Sequence, residues 1–239
     1  MIIIPELGDD YHQLWVDLMR LSDEARVPWT LIGAHMVALH GWESGREPIR
    51  PSEDADVLVD VRAVAKGTER FSQTLIQAGF ELDGVTPQGI GHRFRHGPVQ
   101  LDVLAPDGIG ERASIRTIGK ARTVEVPGGT QALRRSEDVD VRSRSKRGTV
   151  PRPNLLGALL VKVRAIAVDD APDAQRQDVA FLLSLVEDPQ PLIRDMSGRE
   201  RTWLRRHRSF ADHGSPCWAG IEAAEEGVLA YRRLADVGG

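Results

Sequence analysis

The stretch Asp54-Ala55-Asp56-Val57-Leu58-Val59-Asp60 constrains this chain more than any other. Its period-two, valine-rich text predicts a strand over 55–60. Side chains alternate on a strand, so Asp54 and Asp56 share one face, roughly 7 Å apart at about 3.3 Å per residue. Val57 and Val59 then turn the other way, into the core. Two carboxylates at that spacing can converge on a pair of divalent cations about 3.5–4 Å apart. Magnesium suits them, because it prefers hard oxygen ligands and completes its shell with water and phosphate.

The rest of the chain is read around this strand. Leu7, Tyr11, Leu14, Trp15, Leu18 and Met19 recur at helical spacing and predict a helix over 7–25. A strand over 29–32 runs into Gly33 and a short apolar helix over 34–40. A helix is expected over 67–78, then strands over 80–82, 92–95, 99–104 and 124–126. Pro151 and Pro153 mark a break, and the text beyond turns helical over 155–168, 173–186, 200–210 and 218–234. The expected fold is α+β: a mixed sheet with flanking helices in a domain over 1–150, followed by a helical domain over 151–239. A cleft between two such parts is the natural ligand site.

Two features strengthen the acid pair. Gln100-Leu101-Asp102-Val103-Leu104 is a second strand with an acid amid apolar neighbours, and a carboxylate flanked this way is costly to bury without a partner. Leu31-Ile32-Gly33-Ala34 leads a strand through a glycine turn into a helix N-terminus. That end offers backbone N–H groups and a positive dipole to an anion such as a triphosphate.

With Ile32-Gly33-Ala34, the pair Asp54 and Asp56, and Asp102, the chain resembles the nucleotidyltransferase superfamily of polymerase-β-like fold. Ile32 to Gly41, followed by Arg50, Ser52, Asp54 and Asp56, is similar to the N-terminal motif of the AbiEii-type toxins of bacterial toxin–antitoxin systems. Leu156 to Lys162 and Asp178 to Leu183 look like that family's later Lys and Asp motifs, so the resemblance covers 29–185. It departs at Ala34, where the superfamily more often has Ser or Gly, and in a long spacer before Asp54.

The resemblance implies transfer of a nucleoside monophosphate from an NTP to a hydroxyl, with two magnesium ions held by Asp54, Asp56 and Asp102. Gly33, Ala34, Ser52 and Lys162 would bind the nucleotide, supported by Arg50 and Asp178. The implied acceptor is RNA, notably tRNA, with an antitoxin protein as partner. An antibiotic or a protein acceptor would use the same chemistry. An inactive form that only binds a partner is the reading from another class.

Composition excludes some classes. A net charge of -4 does not announce a nucleic-acid binder, although Arg142 to Arg147 and Arg199 to Arg208 are locally basic. Nearly every cation is Arg, so Lys162 stands out by its residue type. On its predicted helix it shares a face with Leu155, Leu159 and Ile166, as Asp178 does with Ala174, Phe181 and Leu182 on the next. Two opposite charges on inward faces must find partners.

The lone Cys217 cannot form an internal disulfide and fits a reducing compartment. MIIIPELGDD lacks the basic region of a secretory signal, and no membrane span is expected, so a cytoplasmic protein is the default. His35 and His40 point about 140° apart on a helix and make no zinc pair. His92 and His96 share a strand face without a completing Cys or Glu. Arg201 and His207 match a loose nuclease pattern that an Arg-rich run produces by chance.

Overall fold

The computed structural model describes residues 1–48, 52, 54–110 and 114–237. The chain begins with β1 (Ile2–Ile4) and α1 (Asp9–Glu24), whose Leu14, Trp15, Leu18 and Leu21 are buried at helical spacing. β2 (Trp29–Ile32) runs directly into α2 (Gly33–Glu43), and β3 (Asp54–Val59) follows. Then come α3 (Gly67–Gln77), β4 (Glu81–Leu82), β5 (Arg93–His96), β6 (Val99–Pro106) and β7 (Glu125–Val126).

These strands form a mixed sheet in the order β2-β3-β6-β5-β4, with β7 alongside the end of β6. β3 and β6 are parallel at its centre, while β2 and β5 run antiparallel to them. Ala55, Val57, Leu101 and Val103 pack with Leu14, Leu18, Phe71 and Leu75 of α1 and α3. The residues between them on each strand face the other way, where Leu58 and Leu104 join a second core.

Helix α4 (Gly129–Arg134) leads into a hairpin, β8 (Ser136–Ser143) and β9 (Lys146–Pro153), which the sequence does not announce. β8 also pairs with β1 in parallel. Polar residues dominate β8, and its inward face carries the half-buried Val139, Val141 and the buried Ser143. The basic segment from Arg142 to Arg147 is the tip of this hairpin, with Arg144 left-handed at φ 51°. Pro151 and Pro153 are not a break, as their residue type suggests, but part of β9. β9 is an edge strand of the sheet β1-β8-β9, and an edge position tolerates a residue without an N–H.

The helical text starts after Asn154, whose side chain accepts from the Gly157 N–H at 3.0 Å and caps α5 (Leu155–Ala165). α6 (Pro172–Ser184), α7 (Pro189–Asp195), α8 (Gly198–Arg205) and α9 (Ala224–Ala235) follow. The helix expected over 218–234 is shorter, because Gly220 and Ala223 adopt positive φ ahead of α9. The core of these helices runs on into Ile32, Met36, Leu58 and Leu104. They therefore cover the sheet face opposite α1 and α3. Among the described residues no helix is long and apolar enough to cross a membrane.

Replacing Asn154 with Ala should remove the α5 cap and cost about 1 kcal/mol. In a chain of this size that lowers the melting temperature by about 2–4 °C. An unchanged melting curve by circular dichroism would contradict the cap assignment.

Candidate active site

The chain leaves β2 at Ile32 and turns at Gly33, where φ is +72°. Glycine is required there twice over. L-residues rarely adopt that conformation, and a Cβ would collide with Oδ2 of Asp56. The Asp56 carboxylate thus rests on the start of α2. No side chain caps that helix, so its first-turn amides keep their affinity for an anion.

The parallel pairing of β3 and β6 sets Asp56 beside Asp102 and Asp54 beside Gln100. Asp54 accepts from the Ser52 hydroxyl at 2.7 Å and the Gln100 amide at 3.3 Å. Asp102 is held on both oxygens by Arg93, each contact 3.1 Å long, and lies 3.5 Å from His92 Nε2. Burial alone would raise the Asp102 carboxyl, but these two donors bring it below the usual carboxylate range. Among the described residues Asp56 has no such donor. Burial pushes its carboxyl up to about 7; Lys162 opposes that rise, and the charges of Asp102 and Asp54 add to it.

Lys162 lies on α5, 4 % exposed, so it does not snorkel to water. Its ammonium donates to Asp178 Oδ2 at 2.7 Å and to Gln175 Oε1 at 3.1 Å, both on α6. A buried lysine with carboxylate and amide partners is fixed in position, and its charge reaches Asp56. Gly33, Asp54, Asp56, Asp102, Lys162 and Asp178 are therefore brought together at one end of the sheet. Ala34 is half-buried beside them, and Arg50 falls outside the described residues.

The donors suit a hard dication. They are carboxylate oxygens, and Asp56 is a half-buried acid whose charge is short of positive partners among the described residues. Among the described residues no group of three His, Cys, Asp or Glu side chains is gathered as a ready cage for a metal ion. Asp102 is instead engaged by Arg93 and His92.

Several residues matter that sequence reasoning passed over. Arg93 is the register partner of Asp102 on the antiparallel neighbour β5. A cation on a strand adjoining the acid strand is a readable signal. His92 touches Asp102, whereas His96 pairs with Asp17 at 3.1 Å, so the two histidines serve different partners. Ser52, expected to bind nucleotide, spends its hydroxyl on Asp54. Among the described residues no contact joins Arg201 to His207. Cys217 is buried, and burial raises its thiol, which keeps it protonated.

The Asp56 shift has a signed consequence for the metal-free protein. A carboxyl raised from 3.8 to about 7 on folding binds more protons in the native state, so stability falls as pH rises through that window. Asp56→Asn removes the charge. In chelator at pH 8 the variant should melt at least about 2–4 °C above the parent, the shift expected for ~1 kcal/mol. The gap should close toward pH 4. A variant less stable than the parent at pH 8 would refute this electrostatic reading.

No protein-family model matches the chain, and no curated protein matches it. Solved structures do. An antigenic nucleotidyltransferase-like protein from Paracoccidioides brasiliensis is similar at a TM-score of 0.55 and 15% identity, over 90% of this chain and 95% of that one. The antibiotic-resistance factor ANT(2'')-Ia is similar at a TM-score of 0.36 and 12% identity, over 93% of this chain and 91% of that one. The strand order, the glycine turn and the full-length likeness to the first of these establish a nucleotidyltransferase-like α+β fold.

Proposed function

We propose that this chain is a metal-dependent nucleotidyltransferase that moves a nucleoside monophosphate from an NTP to an acceptor hydroxyl. The observation that carries the reading is the meeting of three acids, an uncapped helix N-terminus and a buried lysine at one end of the sheet. Acids without the lysine and the amides would suit a simple cation site. The lysine and amides add a place for phosphate.

Asp54 and Asp56 would hold the ion that accompanies the triphosphate, and Asp102 would share a second. Bound magnesium supplies charge neutralisation at the phosphate oxygens. The α2 amides at Gly33 and Ala34 cradle the leaving phosphates, and Lys162, oriented by Asp178 and Gln175, adds a fixed positive charge to them. The acceptor hydroxyl gives up its proton toward Asp102 as its oxygen bonds to the α-phosphorus. The bond to pyrophosphate breaks on the opposite side. Arg93 and His92 keep Asp102 ionised, ready to receive that hydroxyl.

For the acceptor we propose RNA, with tRNA first, in a cytoplasmic toxin–antitoxin setting with an antitoxin partner. The support is the likeness of Ile32 to Gly41 and the acids that follow to AbiEii-type toxins. The basic run gives less support than its composition suggests. Arg205 is tied to the end of α9 through Ala235 O and Asp236, and Arg199 lies over Trp203. Arg206 and Arg208 stay exposed. We keep 1–150 and 151–239 as the proposed catalytic and covering parts. A second reading, a partner-binding form without catalysis, is favoured by the Arg93 clamp on Asp102.

Labelled NTP and magnesium, supplied with total tRNA, an aminoglycoside or bulk protein, separate these readings. Label on tRNA is expected, at least about 100-fold reduced in Asp56→Asn, a loss of roughly 2.7 kcal/mol in transition-state stabilisation. Label only on drug or protein would move the acceptor, and no NTP binding would favour the inactive form. Asp102→Asn should keep NTP affinity and lose transfer. Lys162→Met should weaken NTP affinity about tenfold. An Asp102→Asn variant that loses NTP binding as Asp54→Asn does would contradict this division of roles.

A further inference from the structure

Beside Asp54 the surface opens into a cavity of about 200 Å³ whose walls include Leu7, Tyr11, His35, Trp42 and Glu47. A second hollow of about 520 Å³ adjoins it, sharing Leu7, Tyr11 and Ser52 and adding Asp10. Ser52 lines both and bonds Asp54, which ties the pair of hollows to the start of β3. Lys162 reaches the acids from α5, on the other face of the sheet from α1, which carries Tyr11. The cavity itself reaches Ala34 at the start of α2, so it adjoins the place proposed for the phosphates.

Its chemistry is unusual for this chain. Aromatic residues make up only 5% of the sequence, yet Tyr11, Trp15 and Trp42 cluster here around His35. Tyr11 stacks on His35 with centroids 5.5 Å apart and meets Trp42 edge-on at 6.4 Å. Leu7 at the rim is 56 % exposed, an apolar side chain left in water. His35 is 2 % exposed, and among the described residues neither ring nitrogen makes a well-formed hydrogen bond. Burial holds it neutral at about 4. Among the described residues the charged groups at the mouth are acids: Glu47, which accepts from Trp42 Nε1 at 3.4 Å, and Asp10.

These walls select by exclusion. Among the described lining residues a phosphate finds no cation, and Glu47 and Asp10 stand against it. A saturated polycation would want more acids and less aromatic surface. A planar ring with an amino group meets both features, its face on the rings and its N–H donors on a carboxylate.

We propose that this cavity holds a nucleobase with an exocyclic amine (adenine, cytosine or guanine), stacked on Trp42 with Tyr11 standing edge-on to it and its amine donating to Glu47. The proposal rests on the nucleotidyltransferase reading only for the source of the base. That source is either the NTP or the acceptor strand.

The full chain is titrated in chelator with adenosine, cytidine, guanosine and uridine by ligand-observed NMR. At least one amino-bearing nucleoside should bind ten times tighter than uridine, and Glu47→Gln should cut that preference below threefold. Trp42→Leu should weaken it tenfold and Trp42→Phe restore most of it. Leu7→Glu, at an exposed position that folding does not need, should weaken it without changing the melting temperature. No nucleoside binding, equal binding of uridine, or parental affinity in both Trp42→Leu and Leu7→Glu overturns the proposal. Calorimetry with magnesium then identifies the source. If the NTP base occupies the cavity, the same variants weaken NTP tenfold and leave inorganic tripolyphosphate unchanged. If an acceptor base does, they weaken a short oligoribonucleotide and spare NTP. Failure of the parent to bind magnesium tripolyphosphate would sink the nucleotidyltransferase reading alone, since the nucleoside measurements do not depend on it.

Discussion

Parallel pairing of β3 with β6 presses like charges together, and much of the structure around it answers that pressure. Asp56 and Asp102 are register neighbours, with Asp54 two residues away on the same face. Left to themselves, three carboxylates this close would not all ionise. Asp102 is relieved by Arg93 and His92 from β5 and the segment just before it. Asp54 is relieved by Ser52 and Gln100. Asp56 keeps the unrelieved share, and it is the acid that burial and its neighbours push toward neutrality. A site that stores its electrostatic cost on one central acid is well suited to a cation ligand.

The helical half supplies the counterweight. Lys162 is carried into the interior by α5 and held by Asp178 and Gln175 of α6. A buried ion pair adds little net stability when its desolvation is counted, but losing one partner is costly because the other is stranded. The pair is better understood as a device for holding an ammonium in place. Lysine suits that task in a chain that otherwise uses arginine, since its compact head fits where a planar fork would need two aligned acceptors. The core joining α5 and α6 to Ile32, Met36 and Leu58 keeps that ammonium in register with the sheet.

On the opposite flank the aromatic cluster follows a different logic. Tyr11, Trp15 and Trp42 come from α1 and α2 and converge around His35 in the first turn of α2. His40, on the same helix, is satisfied by Pro153 O at 3.0 Å. Among the described residues His35 has no such well-formed bond. The contrast between two buried histidines five residues apart separates a packing role from an unfinished polar site.

Much of this was legible in the sequence. Period-two alternation around Val57 fixes which side of β3 carries Asp54 and Asp56, because a strand has only two faces. Gly33 between an apolar strand and an apolar helix announces a turn that other residues resist. The inward faces of Lys162 and Asp178 follow from helical spacing, and so does their need for partners. Other features had no local signal. The hairpin of β8 and β9 carries too few apolar residues to show its period, and its prolines read as a break because edge position is invisible in one dimension. That Asp102 sits opposite Arg93, that Ser52 turns to Asp54, and that Tyr11 and Trp15 close on His35 are matters of register and packing between distant segments. Sequence decides which faces are acidic, apolar or strained, through the repeat of the backbone itself. Only the tertiary structure decides which of those faces meet, because strand order, register and helix docking are set by the whole core at once.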